Sequence, residues 1–215
     1  DRGRRRADRH RLDLTALPIV TVDPEDARDF DDAISIEPLA GGRHRLGIHV
    51  ADVSHYVRPG SPIDRESYER ATSTYLPGEV VPMLPERLSN GICSLVQDED
   101  RLAVTVFIEL DRDLDPVSFS QHRSVIRSKR RFTYDEVDAI LEGRSFERRE
   151  AFALFQRIAE RLSAGRIARG AIDLDLPEIK PVLAPGGKVI AVRKVERTWS
   201  HRSIEELMIL ANEDA

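Results

Sequence analysis

An aspartate-rich stretch between two apolar runs constrains this chain more than any other feature. Residues 23–32 read DPEDARDFDD, and the apolar runs at 17–22 and 33–36 that flank them are predicted to be strands. Side chains alternate between the two faces of an extended segment, so Asp31 and Asp32 would point in opposite directions if this stretch were a strand. No regular element gathers all of its carboxylates. The sequence therefore predicts a loop that bends between two strands.

The carboxylates of this loop predict a site for a hard metal ion. Crowded carboxylates repel one another unless a cation neutralises them, and oxygen ligands of this kind select Mg2+ or Mn2+. A solvated acidic turn, with Asp as a capping residue, is the alternative. A calcium EF-hand loop is excluded, because a register starting at Asp29 places Ala33 where Asp or Asn is needed and Ile34 where Gly is needed. The candidate ligands are Asp23, Asp29, Asp31 and Asp32.

Composition indicates a globular protein. The chain has 215 residues, of which 40% are hydrophobic and 33% are charged, and a chain of this length can bury one sizeable core or two small ones. It contains neither an apolar run of membrane-spanning length nor a signal-peptide pattern, so we expect a cytoplasmic protein without a membrane partner. Cys93 is the only cysteine, which excludes an intramolecular disulfide and a cysteine zinc cluster, and its apolar neighbours predict burial. The net charge of −5 does not mark a nucleic-acid-binding protein, although local patches can differ in sign.

The N-terminal residues have the composition of a tail. Residues 1–11 hold six arginines and no aliphatic side chain larger than alanine, which is typical of a mobile segment. We therefore predict an arginine-rich linker or tail over residues 1–16 and one domain over residues 17–215. The chain does not start with Met, and we expect it to be a piece of something longer.

Turn signals and alternating apolar residues predict a largely antiparallel sheet. Three hairpins are expected: 33–37 with 46–53 across Gly41-Gly42, 101–110 with 117–126, and one over 172–192 that turns at Gly186-Gly187. Residues 72–85 contain three prolines and one glycine, which predict a shaped loop, and 85–90 are expected to form one or two helical turns ended by Gly91.

Capping residues and helical periodicity predict the helices. They are expected over 61–71 with Ser61 as N-cap, after a capping box at Thr133–Glu136, over 145–169, and after a second capping box at 203–206. These elements predict an α+β fold, a twisted and mostly antiparallel sheet with helices packed on it and the aspartate loop at one end. In the last helix, Leu207, Ile209 and Leu210 are expected to lack a covering partner. A polypeptide of residues 1–215 alone is therefore expected to be poorly soluble or partly unfolded.

Five stretches together resemble one family, the catalytic RNB domain of ribonuclease II and ribonuclease R. They are TVDPEDARDFDDAI (21–34), GIHVADVSHYV (47–57), TSTYLPGEVVPMLPERLSNGICSL (72–95), RSVIRSKRRFTYDEVDAIL (123–141) and HRSIEELMILAN (201–212). They occur in the family's order, and the likeness runs from about residue 17 to residue 212. By this resemblance the domain over 17–215 is an RNB domain truncated on its C-terminal side.

The resemblance implies an enzyme, a metal-dependent hydrolytic 3′→5′ exoribonuclease. Its substrate would be single-stranded RNA, degraded to nucleoside 5′-monophosphates with Mg2+ or Mn2+ as cofactor. The residue types suit this chemistry, because Mg2+ binds through a few carboxylates plus substrate phosphates, and two metal ions can steady both the attacking and the leaving oxygen. The family also carries flanking OB-type RNA-binding domains, which we expect on the longer native chain.

The resemblance also assigns roles to single residues. Asp23, Asp29, Asp31 and Asp32 would hold the metal. Of these, Asp29 and Asp31 would be catalytic, with Asp31 positioning the second metal ion or the attacking water. One of Glu205 and Glu206 matches a glutamate of the family's site, and helix capping by Glu206 competes with that role. Residues expected to contact RNA are Tyr75 near the leaving nucleotide, Tyr134 along the RNA path, and Arg28 at a phosphate. Each tyrosine also has a structural alternative, as packing for the proline loop or as a helix-start residue.

Several departures leave other functions open. Pro181 stands where the family has an aromatic side chain that stacks on the terminal base, and the family's downstream arginine is absent. The main alternative is therefore a metal- and RNA-binding module without turnover, and a weaker one is a relative whose aspartate loop binds no metal. His49, Asp52 and His55 lie in a family motif, and we interpret them as strand and turn residues that pack under the site.

Overall fold

A seven-stranded sheet forms the centre of the fold. The computed structural model describes residues 10–76, 79–172, 178–195 and 198–213. Its strands, in chain order, are β1 (Leu12–Asp13), β2 (Val20–Asp23), β3 (Asp32–Pro38), β4 (His44–Ala51), β5 (Thr74–Leu76), β6 (Glu79–Val81), β7 (Asp100–Leu110), β8 (Pro116–Arg127), β9 (Arg130–Thr133), β10 (Glu178–Leu183) and β11 (Val189–Val195). The large sheet has the order β1-β8-β7-β4-β3-β2-β9, while β5-β6 and β10-β11 form separate two-stranded sheets.

The large sheet is antiparallel except at its two edges. β3 and β4 form the predicted hairpin, and Gly41 and Gly42 in the connecting turn adopt left-handed φ angles of 78° and 74°. β7 pairs antiparallel with both β4 and β8, whereas β1 runs parallel to β8 and β9 runs parallel to β2. The predicted α+β class is confirmed. The sequence did not predict the edge strands, because segments of two and four residues are too short to show alternation.

Three of the helices pack on the sheet, and two of the predicted caps are present. The helices are α1 (Pro62–Arg70), α2 (Tyr134–Leu141), α3 (Arg149–Ala168) and α4 (Trp199–Glu213). Ser61 caps α1, because its Oγ accepts a hydrogen bond from the N–H of Asp64 at 3.2 Å. Thr133 and Glu136 form the predicted capping box of α2. None of the described helices has the length and apolar character needed to cross a membrane.

The two longest helices begin at other residues than predicted. α3 starts after Ser145, because Arg148 adopts a left-handed φ of 51° and ends the preceding turn. α4 starts at Trp199, and Ser203 lies inside it, where its Oγ donates to the carbonyl oxygen of Trp199 at 2.7 Å. The capping box predicted over 203–206 is therefore wrong.

The main core lies between the sheet and the helices α2, α3 and α4. Its fully buried members include Ile34, Leu46, Ile108, Phe132, Ile158 and Leu207. Leu207 and Leu210 are buried and Ile209 is half-buried, because α4 packs on α2, α3 and β4. The expectation that this face of the last helix lacks a covering partner is wrong.

A smaller apolar cluster lies on the other face of the sheet, beside the aspartate loop. Ala33 belongs to it, and because side chains alternate along a strand, the neighbouring Ile34 points into the main core instead. Phe30 of the aspartate loop packs against this cluster. Cys93 is 2% exposed, as predicted, and burial raises the pKa of its thiol. The cluster comprises Ile19, Ala33, Ala51, Cys93, Leu95, Ala103 and Ile126.

The proline-containing segment is more regular than predicted. Within the shaped loop expected over 72–85, β5 and β6 pair in a short antiparallel hairpin. The helical turn expected over 85–90 runs instead from Arg87 to Ile92 and passes through Gly91. The predicted hairpin near the C-terminus is confirmed for its described residues by the pairing of β10 with β11.

The N-terminal segment is attached to the domain from residue 11 onward. Arg11 donates from Nη2 to Oδ2 of Asp52 at 2.6 Å, and the two side chains are 3% and 0% exposed. Its Nη1 also donates to the carbonyl oxygens of Ala103 and Ser124. The predicted tail is therefore wrong for residues 11–14, because a buried ion pair and β1 attach them to the domain. The first nine residues lie outside the described part of the chain.

We expect the change Arg11→Ala to destabilise the domain strongly. Removing one partner of a buried ion pair leaves an unpaired charge, which costs about 3–5 kcal/mol of unfolding free energy. Arg43→Ala is the matched control, since its pair with Glu109 is 47% and 37% exposed and exposed pairs contribute about 0–1 kcal/mol. Urea denaturation measures both. Equal losses of unfolding free energy in the two variants would contradict a structural role for the N-terminal segment.

Candidate active site

Strands β2 and β3 bring the two ends of the aspartate loop together. Asp23 is the last residue of β2 and Asp32 is the first of β3, and the two strands pair antiparallel. Both carboxylates therefore lie at the same end of the sheet. Asp31 directly precedes β3, and its carbonyl oxygen accepts a hydrogen bond from the N–H of Ala51 at 2.8 Å. Asp29 lies in the irregular segment between the strands.

The four carboxylates are close enough to interact electrostatically. Burial raises the pKa of Asp23 to about 7, and the charges of Asp32 and Asp31 contribute to the increase. Burial, with the charge of Asp31, raises the pKa of Asp32 to about 6. Asp31 is more exposed, and its pKa is raised by partial loss of hydration and by the charge of Asp29. The structure therefore gathers the four predicted ligands into one repulsive cluster.

One carboxylate oxygen of Asp23 lacks a hydrogen-bond donor within the described residues. Asp23 is 7% exposed, and among the described residues its Oδ2 has no hydrogen-bond donor. Thr21, two residues earlier on the same face of β2, also has a buried Oγ1 that meets no partner at hydrogen-bond geometry, although its side chain is close enough to lower the pKa of Asp23. A buried carboxylate oxygen without a donor is unfavourable unless a proton or a cation reaches it.

Arg131 on β9 holds the loop from outside. Its Nη2 donates to the carbonyl oxygens of Pro24 and Glu25 at 2.6 and 2.9 Å. Its guanidinium also lies 5.0 Å from the centre of the Phe30 ring, within the range of a cation–π contact. The arginine thus contacts both halves of the loop. Sequence analysis missed Arg131, although it stands two residues before Thr133, the N-cap of α2.

Tyr75 contacts the cluster from the β5–β6 hairpin. Its hydroxyl donates to Oδ2 of Asp29 at 3.3 Å, while 68% of the residue stays exposed. Partial burial and the charge of Asp29 raise the pKa of the Tyr75 phenol. The structure therefore places this predicted RNA-contacting side chain at the carboxylates, with its ring open to solvent.

Tyr134, at the start of α2, lies on the other side of the cluster. Burial raises the pKa of its phenol to about 12, and the charges of Asp32 and Asp23 contribute. Its ring stacks on the imidazole of His201 in α4, with centroids 3.9 Å apart and planes inclined by 20°. One face of Tyr134 is thus covered by protein.

The structure separates the two candidate glutamates. Glu206 is 5% exposed, and its two carboxylate oxygens accept hydrogen bonds from Nε and Nη2 of Arg166 on α3 at 3.0 and 2.9 Å. Glu205 is exposed and lies four residues after His201, so the two side chains share one face of α4. His201 stacks on Tyr134, while the charge of Glu205 also acts on Arg166. A catalytic role for either glutamate stays a prediction.

The remaining predicted residues fall into two groups. Arg28 is exposed on the loop, and its contact with RNA stays a prediction. His49 is fully buried between Ser35 and Thr105, which its ring nitrogens contact at 3.0 and 2.8 Å. Burial lowers the pKa of His49 to about 3, so the ring is neutral. Its interpretation as a packing residue is confirmed, and Asp52 is likewise used by the ion pair described above.

The donor chemistry of the cluster suits Mg2+, although the ligands are not assembled. In the described parts of the chain, no group of three or more His, Cys, Asp or Glu side chains is arranged to hold a metal ion. The unpaired Oδ2 of Asp23 and the mutual repulsion of the carboxylates are nevertheless the conditions that a hard cation relieves. The residues therefore fit the ion by type.

The raised pKa of Asp23 makes stability depend on pH. A carboxyl group whose pKa is higher in the folded than in the unfolded chain binds its proton more tightly when folded. Asp23 therefore contributes to the free energy of unfolding in full below pH 3.8, and this contribution is lost as pH rises to about 7. In the absence of divalent metal, we expect Asp23→Asn to be more stable than the parent at pH 8, by on the order of a few kcal/mol, and not at pH 4. Thermal unfolding at the two pH values measures this difference.

The exposed Asp26→Asn, in the same loop, controls for the loss of one charge. A stability difference between Asp23→Asn and the parent that does not change with pH would show that Asp23 titrates normally.

Comparison with known proteins places the chain in a family. The RNB domain model matches residues 11–215. A Thermotoga maritima protein named Ribonuclease R is 47% identical over 209 residues, which cover 94% of this chain and 29% of that protein. This chain thus spans less than a third of that relative.

Solved structures share the fold. Mycoplasma genitalium RNase R, solved with double-stranded RNA and with ribose methylated single-stranded RNA, is 35% identical with a TM-score of 0.91. The match covers 98% of this chain, and 38% and 33% of those chains. A yeast protein described as a pseudonuclease is 21% identical with a TM-score of 0.78 over 97% of this chain and 26% of its own, and shares the fold alone. The chain therefore belongs to the RNB domain family, as its motifs predicted.

Proposed function

We propose that this chain carries the metal-binding part of a hydrolytic 3′→5′ exoribonuclease site. The enzyme would act on single-stranded RNA and release nucleoside 5′-monophosphates. One observation carries the proposal: in an RNB domain, the carboxylates of Asp23, Asp31 and Asp32 repel one another where β2 ends and β3 begins, and the buried Oδ2 of Asp23 lacks a hydrogen-bond donor among the described residues. The RNA-bound structures of the Mycoplasma relative support the choice of substrate.

The cofactor we propose is Mg2+, with Mn2+ as a substitute. Asp23, Asp29, Asp31 and Asp32 would hold it, and when bound it would neutralise charge on the scissile phosphate and make a bound water more acidic. The protein's own part is to keep Asp23 and Asp32 desolvated on strand ends and to leave Asp31 open to solvent. Asp31 is thus the carboxylate that we propose to orient the attacking water.

The walls of the site would hold the 3′ end of the RNA. Tyr75 offers an exposed ring beside Asp29, and stacking on an aromatic ring tolerates any base. Tyr134 lies close to Asp32 and would contact the strand with the face or edge that His201 does not cover. We propose Glu205 rather than Glu206 as the glutamate of this wall, because both oxygens of Glu206 are bound by Arg166. Arg28 would contact a phosphate.

Product analysis tests the proposed reaction. Uniformly labelled single-stranded RNA with a separate 5′ label is incubated with the full-length protein and Mg2+. We expect labelled 5′-monophosphates from the first time points, a 5′-labelled strand that shortens stepwise, and no release in EDTA. Internal fragments would instead indicate an endonuclease.

A binding module without turnover is the second candidate. One observation favours it: within the described residues, no group of three or more His, Cys, Asp or Glu side chains is arranged to hold a metal ion, whereas hydrolysis with two metal ions requires an assembled site. This module would bind Mn2+ and single-stranded RNA and leave the strand intact. RNA binding without mononucleotide release by the full-length protein would therefore establish the second candidate and reject the first.

The change Asp31→Asn should separate catalysis from binding. It keeps the size of the side chain but removes a charge that acts in the transition state, so turnover should fall by roughly two orders of magnitude or more. RNA affinity should persist or increase, because repulsion of phosphates decreases. Asp26→Asn, an exposed aspartate of the same loop, is the matched control and should leave turnover unchanged. Parent-like degradation by Asp31→Asn would remove Asp31 from the mechanism.

The two tyrosines should contribute to RNA binding by stacking. Tyr75→Ala and Tyr134→Ala should each weaken binding of single-stranded RNA by ~1–3 kcal/mol without changing Mn2+ affinity. Tyr68→Ala is the control, since Tyr68 is 87% exposed on α1. Fluorescence anisotropy measures affinity, and melting temperature shows whether Tyr134→Ala also loses its stacking on His201. A stable variant with parent-like RNA affinity would exclude that tyrosine from the site.

A further inference from the structure

Ser94 holds the two peptide groups on either side of Asp29. Its Oγ accepts a hydrogen bond from the N–H of Phe30 at 3.0 Å and donates one to the carbonyl oxygen of Arg28 at 3.2 Å. Ser94 is 0% exposed, so water cannot replace either bond. A single buried hydroxyl therefore fixes the backbone before and after one of the four carboxylates.

The segment around Ser94 is itself firmly held. The N–H of Leu95 donates to the carbonyl oxygen of Phe30 at 2.8 Å, which adds a third bond between the two segments. Arg101 donates from Nε to the carbonyl oxygen of Ser94 at 2.8 Å. Cys93 and Leu95 are buried in the smaller apolar cluster. The hydroxyl of Ser94 thus acts from a fixed support on the loop.

The other carboxylates do not depend on such a support. Asp23 and Asp32 belong to paired strands, and the carbonyl oxygen of Asp31 is bonded to β4. Asp29 lies in irregular backbone, and its side chain accepts a long hydrogen bond, 3.3 Å, from the hydroxyl of Tyr75. The position of Asp29 therefore depends on its flanking peptides, which Ser94 holds.

We propose that Ser94 is a positioning residue, which fixes the Asp29 carboxylate in the geometry that metal binding and turnover require. This inference rests on the proposed function and adds a residue that no part of the metal chemistry touches directly. Alanine at this position would leave a buried N–H and a buried carbonyl oxygen without partners, so the loop would rearrange to reach water. Groups that orient metal ligands typically affect metal affinity or activity by about tenfold to a hundredfold.

Ser94→Ala and a matched control, Ser124→Ala, test the proposal in the full-length protein. Ser124 is also 0% exposed, and its Oγ also makes two hydrogen bonds, to Thr105 and Ala103 on the neighbouring strand. Four quantities are compared: melting temperature, hydrogen exchange of the peptide containing Phe30, Mn2+ affinity, and turnover at saturating RNA. Ser94→Cys, which is somewhat larger and weakens both bonds because a thiol is a poor donor and acceptor, replaces Ser94→Ala if the alanine variant does not fold.

For Ser94→Ala we expect faster exchange at Phe30, Mn2+ affinity and kcat lower by about tenfold to a hundredfold, and unchanged RNA affinity. Ser124→Ala should lower only the melting temperature. Mn2+ affinity and kcat that fall no further in Ser94→Ala than in Ser124→Ala would overturn the proposal. If the parent protein releases no mononucleotides, the proposed function fails by itself. Mn2+ affinity then decides the role of Ser94: a loss specific to Ser94→Ala supports it, and equal affinities refute it.

Discussion

Repulsion among four partly desolvated carboxylates is the constraint on which the site depends. An isolated loop of this composition would spread its charges into water, yet Asp23 and Asp32 are fixed at the ends of adjacent strands. The backbone pairing of β2, β3 and β4 and the packing of both faces of the sheet provide the opposing free energy. Burial and the remaining repulsion raise the pKa values of Asp23 and Asp32. A bound cation would convert this unfavourable arrangement into a favourable one.

The elements around the loop limit where its charges can go. Arg131 ties the carbonyl oxygens of Pro24 and Glu25 from outside, and Ser94 ties the peptides beside Asp29 from inside. The partly buried ring of Phe30 packs against the smaller apolar cluster and lies beside the guanidinium of Arg131. The loop is therefore shaped by hydrogen bonds to its backbone, which leave the carboxylate groups themselves available. Such preorganisation would hold the proposed ligands near their places before a metal ion or substrate arrives.

Local sequence signals predicted the elements whose causes are local. The hairpin between β3 and β4, the capping box at Thr133 and Glu136, and the bent acidic loop follow from turn chemistry, capping and alternation. The partners of single charged side chains could not be predicted in this way. Arg11 looked like part of a tail, and its burial depends on Asp52, which is 41 residues away.

In the site, too, some features have local causes and others depend on residues far along the chain. The four aspartates stand out by their spacing, and the stacking of Tyr134 on His201 depends on a helix that starts 65 residues later, at Trp199. The capping box predicted at the start of α4 satisfied every local rule, but packing on α3 extended that helix by another turn. Glu206 thereby faces Arg166, and Glu205 remains exposed.

Binding of Mn2+ measured by isothermal titration tests most directly whether the carboxylate cluster is a metal site. Protons compete with the ion for Asp23 and Asp32, whose pKa values are about 7 and about 6. Affinity at pH 8 should therefore exceed affinity at pH 5.5 by at least about tenfold, and Asp23→Asn should weaken binding at pH 8 and flatten this dependence. An absence of binding at pH 8, or an affinity that is the same at both pH values and in Asp23→Asn, would contradict the claim that the carboxylate cluster binds a metal ion.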